Sequence, residues 1–178
     1  MSIAPMIQSS VTIAQPQDAD AVFALLRGLH QENGIFPMDD DLVRQRVRDA
    51  CNRDGGVAGV IAGPKGIEAS IGLFALSAWY TTALHLEDFW AFVSPDYRGP
   101  RYAGHARRLL EFAKRCAASL ELPLMIGVLS SKRTEAKVRL YRRHFPEAGA
   151  TFFYEPPGVK TRFAEIAAML VSADEKAA

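Results

Sequence analysis

The chain has 178 residues, of which 49% are apolar and 10% aromatic, and its formal net charge is +1. This composition supports one domain that buries about 70% of the surface of its unfolded chain, and it argues against intrinsic disorder. No apolar run approaches the roughly 18 residues of a membrane span, and no secretory signal is visible. Cys51 and Cys116 form no CxxC motif or Cys/His cluster. We therefore expect a cytoplasmic protein without metal or membrane partner.

The first half of the chain alternates between helical and extended patterns. Asp18 is placed to cap the first helix, and the acids from Asp39 to Asp41 suit the first turn of the second. The segment Gly63-Pro-Lys-Gly66 is typical of a hairpin turn. The predicted elements are a strand at 11–13, helices at 18–34 and 39–52, hairpin strands at 57–62 and 67–75, and a strand at 84–93.

The second half of the chain predicts crossover connections through helices. Its predicted elements are a helix at 106–120, a strand at 122–128, a helix at 134–145, a strand at 151–154 and a last helix at 161–171. Strands that first pair as hairpins and then cross over through helices indicate an α/β protein with a mixed, mostly antiparallel sheet. We expect a single domain over residues 1–178, with helices on both faces of the sheet and one parallel strand pair.

The connection between the strand at 84–93 and the following helix is the most informative segment. It contains the pattern Arg101-x-x-Gly104-x-Ala106, in which a small residue stands at the start of a helix. The first N–H groups of a helix have no intrahelical partner and carry partial positive charge, so such a turn suits a phosphate-bearing ligand. The alternative is an ordinary strand–turn–helix connection.

This pattern, followed by a Leu-Leu helix, resembles the acyl-CoA-binding motif of the GNAT acetyltransferase superfamily, and the resemblance covers about residues 11–155. It implies that backbone amides of the turn hold the pyrophosphate of acetyl-CoA, and that the strand before it pairs with the pantetheine arm. Counting back from the Leu-Leu pair places Arg101 at the start of the motif, whereas counting forward from Val93 places Arg98 there. We prefer Arg101 and keep Arg98 as the second candidate. The cofactor-binding residues implied by the resemblance are Phe92, Val93, Arg98, Arg101, Tyr102, Ala103, Gly104, His105 (through its backbone more than its side chain) and Ala106.

The helix at 134–145 carries the second part of the resemblance, the pair Leu140-Tyr141. In the family the Tyr of this helix protonates the departing CoA thiolate, which implies that Tyr141 is the general acid. Thr134 and Lys137 depart from the Asn and Ala that the family has on this helix. The alternative for Tyr141 is a helix residue that packs against Val138 and Phe145.

The general base is less clearly marked. Many family members have a Glu four residues before the position of Val93, but this chain has Phe89 there. Glu87 lies two residues farther back, on the same face by the period of two of a strand, and it is our candidate for the base. His85 is the second choice, and a β-bulge would instead bring Asp88 inward. At the end of the first helix, His30 and Glu32 fall where family members often line the acceptor pocket.

Between Arg98 and His144 there are twelve Lys and Arg residues against three acids. A basic half of this kind suits the phosphates of CoA, and nucleic-acid binding is the less favoured interpretation because no DNA-binding motif accompanies it. The resemblance implies direct transfer of an acetyl group from acetyl-CoA to a primary amine, on an antibiotic, polyamine, amino acid or protein N-terminus. The alternative is a GNAT-fold protein that binds CoA or a protein partner without catalysis. A homodimer is left open.

Overall fold

The computed structural model describes residues 10–98, 104–128 and 134–145, all of which belong to one compact unit within residues 1–147. The predicted strand at 151–154 and helix at 161–171 lie outside the described residues. The prediction that the whole chain is one domain therefore stays a prediction.

Five strands of the described residues form one sheet in the order β1-β2-β3-β4-β5. The first four pair antiparallel, and β4 pairs with β5 in parallel. The predicted mixed, mostly antiparallel sheet with one parallel pair is thereby confirmed. The strands are β1 (Thr12–Ile13), β2 (Gly56–Gly63), β3 (Gly66–Ser77), β4 (Leu84–Val93) and β5 (Leu124–Met125).

In the described ranges, four α-helices accompany the sheet: α1 (Ala19–Asn33), α2 (Asp40–Asn52), α3 (His105–Leu120) and α4 (Thr134–His144). Asp39 caps α2, because its carboxylate accepts the N–H of Leu42 at 3.0 Å. Asp18 occupies the N-cap position of α1 as predicted, but its side chain makes no capping bond to the helix. Its carboxylate instead accepts the N–H of Gln15 at 2.8 Å, and this bond stabilises the 3-10 turn Pro16–Asp18 that leads into the helix.

The core has two layers, one on each side of the sheet. Buried side chains of α1 and α2 pack with Phe74 and Trp90 on one face, and buried side chains of α3 pack with Leu73 and Leu86 on the other. Helices on both faces were predicted and are present. No helix in the described part of the chain is long and apolar enough to cross a bilayer.

Candidate active site

An extra residue in β4 decides which carboxylate faces α3. Opposite β3, Gly72 pairs with Trp90 but Leu73 pairs with Asp88, so Phe89 is the inserted residue of a β-bulge. The bulge reverses the alternation of side chains before it. Asp88 therefore points to the face of Leu86, which packs under α3, and Glu87 points to the opposite face.

This corrects the expected geometry of Glu87. The period of two that placed Glu87 on the face of Val93 is interrupted by the bulge at Phe89. The Glu87 carboxylate instead lies 3.2 Å from Nε2 of His85, on its own face of the strand. The bulge that the sequence left open as an alternative is present, and it brings Asp88 inward.

Asp88 lies where the sheet opens. The parallel ladder between β4 and β5 consists of the pairs Leu86–Leu124 and Glu87–Met125. One step farther along, the N–H of Gly127 donates to Oδ1 of Asp88 at 2.6 Å. A side chain thus replaces the backbone acceptor of a continuing ladder, which explains why β5 is much shorter than the predicted strand at 122–128.

The environment of Asp88 favours its neutral form. The pKa of Asp88 is raised to about 6, mainly because the carboxyl group is buried. The hydrogen bond from the N–H of Gly127 lowers this pKa, and the negative charge of Glu87 raises it. A carboxyl group with this pKa is mostly ionised at neutral pH, yet it accepts a proton far more readily than an ordinary Asp. Such a group is suited to general-base chemistry.

Tyr141 lies close enough to Asp88 for the two to interact electrostatically. Burial raises the pKa of the Tyr141 phenol, and the negative charge of Asp88 raises it further. The Tyr141 ring also meets the ring of Phe145 edge to face, with centroids 6.3 Å apart. The contact with Phe145 fits the interpretation of Tyr141 as a packing residue. The raised pKa keeps the phenol protonated, as the interpretation of Tyr141 as a general acid requires.

A cavity of about 260 Å³ connects Tyr141 to the start of α3. Its walls come from the end of β4, the turn after it, the first turns of α3 and one face of α4, with Glu32 of α1 at its edge. The predicted site residues that line it are Phe92, Val93, Arg98, Gly104, His105, Ala106 and Tyr141. The other predicted members of the turn, Arg101, Tyr102 and Ala103, lie outside the described residues.

The start of α3 has the properties of an anion site. Gly104 precedes the helix with φ +105°, and a Cβ added to it would have no described neighbour within 4 Å. Because the N-cap is Gly, no N-cap side chain satisfies the first N–H groups, and the first turn of α3 contains no acid. These features fit a phosphate bound at a positive helix end.

Arg98 is held by contacts within the protein. Its Nη1 lies 2.8 Å from the carboxylate of Glu32, its Nε donates to the carbonyl of Val93 at 2.7 Å, and its guanidinium lies over the ring of Phe92. The bond from Arg98 is the main cause that lowers the pKa of Glu32, against an opposing effect of burial. Arg98 therefore forms a wall of the cavity and joins the turn to α1.

Two predicted histidines have contacts that fix their side chains. Nε2 of His30 lies 2.7 Å from the carbonyl oxygen of Phe36, across the connection between α1 and α2. Nε2 of His105 lies 2.8 Å from the carboxylate of Glu68, and both side chains are buried. Glu68 was not singled out from the sequence, although an acid inside the apolar segment 67–75 was a visible signal. Across the ranges described, no three His, Cys, Asp or Glu side chains converge as metal ligands.

No family model and no curated protein matches the sequence, but solved structures resemble its fold. A ribosomal-protein-alanine N-acetyltransferase from Brucella melitensis superposes with a TM-score of 0.61 at 17% identity, over 84% of this chain and 99% of that one. An aminoglycoside acetyltransferase from an uncultured soil metagenomic sample gives 0.61 at 12% identity, over 84% and 96%. A Trypanosoma brucei acetyltransferase gives 0.59 at 19% identity, over 82% and 97%. The chain thus has the fold of the GNAT acetyltransferases.

Proposed function

We propose that this protein is an N-acetyltransferase that moves an acetyl group from acetyl-CoA directly to a primary amine. The observation that carries the proposal is the position of Asp88 and Tyr141. The two groups interact at the point where β4 and β5 part, and Tyr141 also lines the cavity that begins at α3. Asp88 would accept a proton from the amine, and Tyr141 would donate a proton to the departing thiolate, which are the two proton transfers that acyl transfer requires.

The residues around the cavity suit acetyl-CoA. Backbone groups at Gly104 and Ala106 would hold the pyrophosphate at the start of α3. The end of β4, at Phe92 and Val93, would lie beside the pantetheine arm, and Leu140 contributes to an apolar wall. The thioester supplies an activated acyl group, so the protein needs no nucleophile of its own, and neither cysteine lines the cavity.

Asp88 and Tyr141 divide the two proton transfers. Asp88 takes a proton from the acceptor ammonium, which frees the lone pair that forms the new C–N bond with the acetyl carbon. Attack leaves a second proton on the nitrogen, and this proton passes to solvent. Tyr141 donates its own proton to the sulfur as the C–S bond breaks, so that an amide and a free thiol are released. Asp88 then loses its proton and the Tyr141 phenolate regains one through solvent, which restores the starting state.

The base assignment departs from Glu87, the residue that the strand period favoured. The contact of Glu87 with His85 is on the face away from α3, whereas Asp88 interacts with Tyr141. The same bulge makes one acid available at the opening and removes the other from it. We therefore assign the base to Asp88.

The candidate acceptors are primary amines of several chemical classes. Solved structures of the same fold include proteins named for ribosomal-protein alanine and for aminoglycosides. We accordingly include a peptide N-terminus and an aminoglycoside among the candidates, beside polyamines and amino acids.

Release of free thiol from acetyl-CoA, measured over a panel of these amines, tests the proposal. Mass spectrometry of the acceptor identifies transfer, because hydrolysis of the thioester also releases thiol. Turnover of at least one amine is the expected result. Binding of acetyl-CoA without transfer to any amine in the panel would instead support a non-catalytic CoA-binding protein.

A further inference from the structure

Glu68 is a buried acid inside an apolar strand, with a relative exposure of 4%. Its direction results from a second bulge. Between β2 and β3, Ile61 pairs with Ala69 but Ala62 pairs with Ile67, so Glu68 is the extra residue. Ala69 packs in the layer below α3, and the bulge turns Glu68 toward the same side, where its carboxylate reaches the first turn of that helix.

Glu68 bonds to both ends of the connection between β4 and α3. Its backbone carbonyl accepts the N–H of Ser94, the first residue after β4, at 2.9 Å. Its carboxylate lies 2.8 Å from Nε2 of His105, the first residue of α3. One residue thus contacts both the residue that follows β4 and the first residue of α3.

The hydrogen bonds of His105 define how its ring is oriented. Nη2 of Arg108 lies 2.7 Å from Nδ1 of His105. Because Arg can only donate, Nδ1 is the acceptor, and Nε2 therefore carries the proton that is donated to Glu68. Both ring nitrogens are engaged in a side chain with a relative exposure of 3%, so the imidazole ties the first turn of α3 to β3.

We propose that Glu68 is a positioning residue that holds the first turn of α3 in the orientation in which its backbone N–H groups bind the CoA pyrophosphate. The inference rests on the proposed function, because it assigns the ligand of that site. Backbone N–H groups bind a phosphate well only when they are already directed at it, since ordering a loop during binding reduces affinity. Without the carboxylate, the ring Nε2–H of His105 loses its buried hydrogen-bond acceptor, and the first turn of α3 is no longer linked to β3.

Calorimetric titration with CoA, together with steady-state kinetics, tests this role in Glu68→Gln and Glu68→Ala. The carboxamide of Gln keeps an acceptor for His105 but removes the charge that strengthens the bond, so we expect CoA affinity to fall about threefold. Ala removes the acceptor, and we expect a loss of about tenfold or more. The KM for acetyl-CoA should rise by similar factors, whereas kcat and the KM for the amine should change little.

Ser70→Ala is the matched control. Ser70 belongs to the same strand, is fully buried, and accepts a 3.0 Å hydrogen bond from Nε1 of Trp90. This variant removes a buried hydrogen bond of β3 that does not involve α3. It should lower the melting temperature while leaving CoA affinity at the wild-type value.

Two results would overturn the inference in a wild-type protein that binds CoA. One is a Glu68→Gln variant with unchanged CoA affinity, which decides the matter even if Glu68→Ala does not fold. The other is a Ser70→Ala variant that loses as much CoA affinity as Glu68→Ala, since the effect would then follow from stability alone. A wild-type protein that does not bind CoA would overturn the proposed function, and this inference with it.

Discussion

The carboxylate of Asp88 accepts a 2.6 Å hydrogen bond from the backbone N–H of Gly127, across the gap between β4 and β5. In a continued parallel ladder this N–H would bond to a backbone carbonyl. The side chain therefore satisfies the donor while the two strands separate. Because the same carboxylate interacts with Tyr141, the opening of the sheet and the proposed proton transfers depend on one residue.

Asp88→Asn should reduce turnover by about a hundredfold, because an amide cannot take a proton from the acceptor ammonium. The Asn side chain keeps an oxygen that can accept the N–H of Gly127, so the opening of the sheet should be preserved. Acetyl-CoA affinity should stay near the wild-type value. Initial rates with an identified acceptor, together with calorimetry, provide the measurement.

Glu87→Gln is the matched control for that variant, since it neutralises the neighbouring acid on the other face of β4. We expect its turnover to remain within about threefold of wild type, the size of change typical of a removed solvent-accessible charge. A loss of turnover larger for Glu87→Gln than for Asp88→Asn would return the base to Glu87.

The pH dependence of catalysis should report the ionisation of Asp88. A base must be deprotonated to act, so kcat/KM should rise with pH through the Asp88 pKa of about 6. The amine acceptor titrates at higher pH and gives a second limb in the pH profile. Acceptors with different amine pKa values would shift this second limb but not the limb that reports Asp88. An acidic limb that persists unchanged in Asp88→Asn would contradict the assignment.

The same residue should destabilise the folded protein at neutral pH. Its pKa is raised from 3.8 to about 6 in the folded state, so over that interval the folded state binds more protons than the unfolded state. Stability from this group is fully present below pH 3.8 and is lost as pH rises through about 6. Asp88→Asn should therefore raise the melting temperature at pH 7, and the gain should disappear near pH 4. A variant less stable than wild type at pH 7 would show that its lost contacts outweigh the charge.

The described helices, the strands of the antiparallel part and the mixed sheet followed from the sequence because they depend on local periodicity, whereas β5 is shorter than predicted. The acids Asp39 to Asp41 and the turn at Gly63 to Gly66 marked boundaries that the structure reproduces within a few residues. The side-chain cap assigned to Asp18 failed because a 3-10 turn precedes α1 and uses that carboxylate.

The bulges could not be located in the same way. Strand prediction counts alternate residues, and an inserted residue changes the direction of all the side chains on one side of it. In β4 the adjacent acids Glu87 and Asp88 are followed by the adjacent aromatics Phe89 and Trp90, so an alternating pattern alone gives no position for the insertion. The position depends on pairing with β3, where Gly72 lies against Trp90 and Leu73 against Asp88.

The ion pair between Arg98 and Glu32 should contribute to stability as well as to the shape of the cavity. Arg98→Gln leaves the partly buried carboxylate of Glu32 without its cation, and we expect a loss of about 1–3 kcal/mol in the free energy of unfolding. The bond from Arg98 holds the pKa of Glu32 below 4.5, so this contribution is present above that pH and is lost as pH falls through the folded-state pKa. Denaturant titration at pH 7 and pH 4 measures the change.

A double-mutant cycle isolates this pair. Glu32→Gln combined with Arg98→Gln should cost less than the sum of the single changes, because neither partner is then left as an uncompensated charge. Additive losses would mean that the two side chains act independently, despite their 2.8 Å separation.

Tyr141→Phe separates catalysis from packing because the two residues differ by one oxygen. The ring is kept, so the edge-to-face contact with Phe145 should survive with a small cost in stability. Because its pKa is raised, the Tyr141 phenol keeps its proton until the thiolate develops. Phe has no hydroxyl proton to donate. Because a thiolate leaves fairly well unaided, we expect turnover to fall about tenfold to a thousandfold while acetyl-CoA affinity changes little. Unchanged turnover with a lower melting temperature would assign Tyr141 to packing and leave protonation of the thiolate to solvent.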